Sequence, residues 1–367
     1  MHGKRILKNF FTGSAAALLL LSLLFFSGCP SAPGTGGTQS LLYLFATYTG
    51  NVYSFDPNQK SCSSSLFDYG NIAGDYAYFY KGRGYLSANP YGGTGKFLCF
   101  DPDEPSPAVV EFSCSWASGP SAAAFVSATK GYVGDAGTYA DSFPYDPVAD
   151  GGVYVFNPSD AGTALVKVPE SDTNVQGMAY VAAVNALYVA NNNAGTDTVS
   201  VIDVATDTET VETSVADNPT VVLPLSDGTK VYVLSTDYYG ESTLTEIDTA
   251  SNTATNTFSV CSGAQGASIY ESKIYYTGGY YDDEWAWHDT GPFYIDVGEI
   301  VPAETEITTN VVGGGQTLVH DGRLYVTKPS GMQSTLTVVD LSDYSEVEGS
   351  PFDVGTDGDG IKGMALY

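Results

Sequence analysis

Positive charge is what this chain most lacks. Only 14 lysines and arginines stand against 42 aspartates and glutamates in 367 residues. A surface this acidic repels phosphate, so nucleic acid is excluded as a partner. Histidine is scarcer still, with His288 and His320 alone beyond the N-terminal segment. That excludes a multi-histidine transition-metal centre. The five cysteines show no C-x-x-C spacing, which removes the zinc-ribbon and dithiol-redox readings. No Ser-His-Asp nucleophile motif is present either. Long helix formers are few.

What the chain has in quantity is 41 glycines and 27 tyrosines, together with threonine and valine, a composition of strands and turns. A tyrosine run recurs as LYLFA, GYLSA, GYVGD, LYVAN, VYVLS, IYYTG and LYVTK, carrying Tyr43, Tyr85, Tyr132, Tyr188, Tyr232, Tyr275 and Tyr325. A second run follows each and ends in Asp56, Asp101, Asn157, Asp203, Asp248, Asp296 or Asp340, at spacings of 45, 56, 46, 45, 48 and 44 residues. That period is expected of a propeller blade of four antiparallel strands. With strands lettered A to D from the axis outward, the tyrosine run is B and the aspartate run is C. The fold class is all-β, a seven-bladed β-propeller over residues 41–367. The chain enters directly at a B strand, and its last residues, GIKGMALY, repeat the A strand NVQGMAY of blade four. The C-terminal strand is therefore expected to complete the first blade and close the ring.

Residues 187–260, with LYVAN, DTVSVID and LSDGTKVYV, resemble the YVTN-type seven-bladed propeller repeats of exported bacterial and archaeal proteins. The resemblance implies the fold and leaves function open, because such scaffolds carry many functions. Residues 1–28 read as an export signal, with Lys4, Arg5 and Lys8 ahead of an apolar run from Ala15 to Phe26. Phe26-Ser27-Gly28-Cys29 resembles the bacterial lipobox, with phenylalanine where leucine is usual, which implies lipidation of Cys29. Residues 29–40 are then a flexible tether. The expected address is the cell envelope, on a membrane through the lipid anchor, and the expected state is a monomer.

The repeated Asp and Asn residues read as turn formers, and the tyrosines as packing between blades. Function is expected where the repeat is interrupted. The B to C connections of blades three (135–152) and six (278–292) are enlarged, and both project from one face. The second holds Tyr280, Tyr281, Asp282, Asp283, Glu284, Trp285, Trp287, His288 and Asp289. Its aromatics suit stacking on a sugar or a cation, or anchoring a protein; alternatively they fold back as cover. No cofactor is expected, although Asp282, Asp283, Glu284 and Asp289, or Asp357 and Asp359, offer oxygens suited to Ca²⁺. On the same face Gln176, Gln265, Gln316 and Lys362, which begin A strands, are expected to line the channel mouth. Lys81, Arg83, Lys130, Lys230, Lys273 and Arg323 lie by the A to B hairpins on the opposite face, where they are expected to meet anionic headgroups. Cys99 and Cys114, on neighbouring strands of blade two, are the disulfide candidates. The leading function is a non-enzymatic, envelope-anchored binding propeller for a protein, glycan or small ligand. The rivals are a hydrolase or lyase at the channel mouth and a structural surface component.

Overall fold

In each repeat the tyrosine run pairs antiparallel with the aspartate run, and an A strand and a D strand flank them. Blade four shows the pattern: A is Val175–Val181, B is Ala186–Asn191, C is Thr198–Asp203 and D is Thr208–Ser214, in that spatial order. The structure is a computed structural model that describes residues 40–367 apart from 71–73, 89–94, 105–106, 140–146, 149, 170–173, 193–196, 311–313 and 330–332. Seven such sheets make the propeller. The expected export signal, Cys29 and the expected tether as far as residue 39 lie outside the described residues.

Closure follows the expected register. Ile361–Leu366 pairs antiparallel with Leu42–Ala46, setting Leu42 opposite Leu366 and Leu44 opposite Met364. Tyr367 and Leu41 exchange backbone hydrogen bonds at 2.9 and 3.2 Å just beyond. Four of these residues, Leu42, Leu44, Met364 and Ala365, are fully buried, so the joint is as dry as any blade interior.

All seven repeat tyrosines are buried, none more than 5% exposed. In Tyr85, Tyr132 and Tyr188 the hydroxyl explains why the residue is tyrosine rather than phenylalanine. Tyr85 donates to the Pro158 carbonyl at 2.8 Å, Tyr132 to the Asp207 carboxylate and Tyr188 to Asn252 Oδ1 at 2.6 Å. Each acceptor belongs to the C to D turn of the next blade, so these phenols stitch neighbouring blades together. The turns are held in shape by the C-strand carboxylates and amides, as expected. Asp203 Oδ1 accepts from Ala205 N at 2.7 Å, Asp340 Oδ1 from Ser342 N at 2.9 Å, and Asn157 Oδ1 from Ser159 N at 3.1 Å.

The hairpin cations join the same stitching. Arg83 donates to Pro158 O at 3.3 Å, Lys273 to Tyr344 Oη at 2.8 Å and Arg323 to Pro57 O at 2.9 Å. Lys130 pairs with Asp207 at 2.8 Å. Lys230 turns within its own blade to Glu246 at 2.7 Å, where Tyr232 also donates at 2.9 Å. Four of these side chains run sideways to the next blade, and Lys230 stays within its own.

One sequence detail has a steric cause. Blades two and three have Gly before the repeat tyrosine, and there the facing C strand ends in Phe100 or Phe156. A Cβ on Gly84 would lie 2.1 Å from the Phe100 ring and one on Gly131 2.6 Å from Phe156, so in these two blades the ring occupies the space a side chain would need, whereas blade one sets Leu42 opposite Phe55.

The cysteine expectation fails on register. Phe97 pairs with Phe112, which puts Cys99 opposite Val110 and leaves Cys114 beyond the paired segment. At a strand rise of about 3.3 Å per residue the two sulfurs are too far apart along the sheet to bond. Cys62, Cys99, Cys114 and Cys261 are all free thiols.

Candidate functional site

The enlarged connection of blade six is a continuation of the blade rather than an irregular loop. Strand B runs from Lys273 to Tyr281 and strand C from Trp287 to Asp296, and the pairing continues outward to Tyr280 opposite His288 and Tyr281 opposite Trp287. A tight turn closes the hairpin. Asp282 Oδ1 accepts from Glu284 N at 3.0 Å and Ala286 N at 2.8 Å, and its Oδ2 bonds His288 Nε2 at 2.7 Å. Those bonds, His288 foremost, hold the Asp282 carboxyl below the ordinary carboxylate range.

The two tryptophans part company here. Trp287 lies flat over its own sheet, possible because Gly279 has no side chain: a Cβ there would fall 2.1 Å from Trp287 Cζ2. Its indole N–H donates to Asp289 Oδ1 at 2.7 Å, and Asp289 in turn pairs with Lys328 of blade seven at 3.2 Å. Trp287 is thus cover, one of the two readings the sequence left open. Trp285 stands at the hairpin tip, 42% exposed, with φ at 66°. A bulky residue seldom adopts that left-handed conformation, and such strain concentrates at functional sites.

Two tyrosines of blade five complete the surface, and sequence reasoning missed them. Tyr239 stacks on Tyr281 with ring centroids 5.9 Å apart and meets Trp285 edge-on at 6.1 Å; Tyr238 meets Trp287 at 5.8 Å. Tyr280 stacks on His288 at 5.2 Å. The result is an aromatic ridge across blades five and six, with Tyr239, Tyr280 and Trp285 outward and Asp283 and Glu284 beside them. The signal was available: Tyr238-Tyr239 follows its repeat tyrosine by six residues much as Tyr280-Tyr281 follows Tyr275 by five.

In blade three the insert forms a two-residue ladder, Thr138 and Tyr139 against Val148 and Pro147. Asp135 at its base is fully buried and accepts from the backbone of Ala117, Ser118, Gly119 and Gly137. It fixes the loop root.

The residues expected at the channel mouth sit at the A strands. Gln176, Gln265, Gln316 and Lys362 occupy equivalent places at the starts of their A strands, beside register shifts in blades one, four and six. The three glutamines, however, are buried between strands. Gln316 Oε1 accepts from Met364 N at 2.7 Å and so ties blade seven to blade one. Gln265 Nε2 reaches Gly314 O at 3.5 Å. Lys362 is half-buried.

The metal candidates do not converge. Asp359 is fully buried and accepts from Tyr53 Oη at 2.7 Å, Thr356 Oγ1 at 3.0 Å, Asn51 Nδ2 at 3.3 Å and the Thr49 hydroxyl. Burial alone would raise its pKa, but these donors outweigh it and hold it at about 2. Its neighbour Asp357 is exposed. Asp282 and Asp289 are engaged as described, and Asp283 and Glu284 face solvent. Among the described residues no group of three or more His, Cys, Asp or Glu could hold a metal ion.

Fold and site together define a seven-bladed β-propeller with an aromatic ridge on the face of the B to C connections. No family model matches the chain, and no curated protein matches it. Solved structures do. A 6-phosphogluconolactonase-like propeller of Bacteroides fragilis is similar at a TM-score of 0.63 and 12% identity, covering 92% of this chain and 100% of that one. The periplasmic gluconolactonase of Pseudomonas aeruginosa reaches 0.60 at 11% identity, over 89% and 99%. BamB of Moraxella catarrhalis reaches 0.51 at 14% identity, over 78% of each. At such identities the likeness is one of fold.

Proposed function

We propose that this chain is an exported lipoprotein of the YVTN-repeat type, anchored through Cys29 and the tether, and that its monomeric propeller binds an envelope glycan along the ridge of blades five and six. The observation that carries the reading is Trp285. It is a large apolar ring held outward at a strained backbone position, flanked by Tyr239 and Tyr280 and by Asp283 and Glu284. A sugar offers an apolar face to such a ring and hydroxyls to such carboxylates. The rival hydrolase reading has less support, since Arg83 and Arg323 are both committed to turn carbonyls at the opposite face, away from any pocket of converging acids and bases.

The test is capture of envelope polysaccharide by the full chain in detergent, with the double variant Trp285→Ala, Tyr239→Ala beside it. Loss of two exposed stacking rings should weaken binding by about tenfold or more, with the melting temperature unchanged. Undiminished capture by the variant, or capture of a protein with no glycan, overturns the reading.

A further inference from the structure

A cavity lies at the other end of the channel. It encloses about 570 Å³ where the A strands of blades four to seven turn into their B strands, with Leu366 of the closing strand on its floor. That volume is within the roughly 300–1,000 Å³ of small-molecule sites. Ile269, Leu318 and Val319 continue the apolar floor, and Tyr180 and Tyr270 stand in the wall, Tyr270 being 43% exposed.

The rim is acidic. Asp227, Glu271 and Asp321 line it. Glu271 and Asp321 sit at φ 54° and 49°, in two-residue hairpins between Tyr270 and Lys273 and between His320 and Arg323. Such turns place their residues rigidly. Asp227 is fixed by Thr229, whose N and Oγ1 donate at 2.9 and 2.8 Å. No lysine or arginine is among the described residues that line the cavity. The Thr229 hydrogen bonds, and after them the charge of nearby Lys230, hold the Asp227 carboxyl below the ordinary carboxylate range, while Lys130, Lys273 and Arg323 extend to the turns of the next blade. His320 is the one basic group present; burial lowers its pKa from the ordinary 6.5 against the opposing pull of Asp321, so it is largely neutral at pH 7.

We infer that this bowl is a second binding site, for a small organic cation with an apolar body. The floor takes the hydrocarbon, the tyrosines take the cation on their faces, and the rim supplies the countercharge. An anion meets only repulsion there, and a neutral apolar molecule leaves the rim unused.

Equilibrium dialysis of the full chain in uncharged detergent, with radiolabelled benzyltrimethylammonium as probe and benzyl alcohol as its neutral counterpart, tests the inference. The expected result is saturable, one-to-one uptake of the cation that the pair Glu271→Gln, Asp321→Asn weakens about tenfold. Asparagine tolerates the left-handed turn position, so the hairpin survives the change. Tyr270→Ala should cost severalfold, and Trp285→Ala, on the other face, nothing. Equal uptake of benzyl alcohol, uptake by the charge-removed pair equal to that of the parent, or no saturable uptake of the cation overturns it.

Discussion

The two faces of the ring are made from the same repeat and differ in almost everything else. On the face of the B to C connections the chain departs from its period, and the departures build a ridge of tyrosine and tryptophan. On the hairpin face the A to B turns are two residues long in blades six and seven and longer in blades four and five, and together they surround the cavity. Conspicuous sequence marks one surface, and regular sequence shapes the other.

The sharpest way to break this contrast is to remove residues 361–367, which contribute at once Lys362 to one mouth and Leu366 to the other. The ring should then lose its cooperative thermal transition and become protease-sensitive throughout, read by circular dichroism and limited proteolysis. Survival of a sharp transition would mean that the blades fold independently of closure. Next in size, Tyr188→Ala should cost about 3–5 kcal/mol in denaturant titration, as a large buried ring does. Tyr188→Phe should cost only about 1 kcal/mol for its bond to Asn252. Trp287→Ala belongs to one face alone and should cost roughly 2 kcal/mol, below the range for a fully buried ring, whereas Trp285→Ala should leave stability unchanged. A stability loss at Trp285 would make the whole ridge a cover.

Acid response discriminates more finely. Burial opposes ionisation of Glu246, but hydrogen bonds from Lys230, Thr255, Asn256 and Tyr232 overcome it and hold its pKa at about 2, below the ordinary 4.5. A depressed carboxylate contributes stability that is present above pH 4.5 and lost as pH falls toward 2. Glu246→Gln should therefore be less stable than the parent at pH 7, with the difference narrowing across that window in a pH series of thermal melts. Smallest of all, Cys114→Ser should change stability by less than about 0.5 kcal/mol, and thiol labelling after denaturation without reductant should find Cys99 and Cys114 both free.

The architecture was legible because each blade states it again: the tyrosine and aspartate runs fix strand identity, and the match of GIKGMALY to NVQGMAY fixes closure. The site was legible in part. Trp285 and the blade six insert stood out by composition, but Tyr239 comes from another blade, and its approach depends on the angle between sheets rather than on spacing along the chain. The cysteines failed for a related reason. Lying on adjacent strands is visible in sequence, whereas the register that separates Cys99 from Cys114 is set by Phe97 meeting Phe112. The lysines and arginines stand by the hairpins as expected, but the partners of Arg83, Lys130, Lys273 and Arg323, a carboxylate and a phenol as well as carbonyls, come from the next blade.

Closure also governs when the molecule can fold. The pairing of residues 42–46 with 361–366 spans nearly the whole described chain. Contacts of such separation form late, because the loop between them must be ordered first. Blades two to seven can gather as the chain emerges, but the first blade waits with its tyrosine strand half-paired.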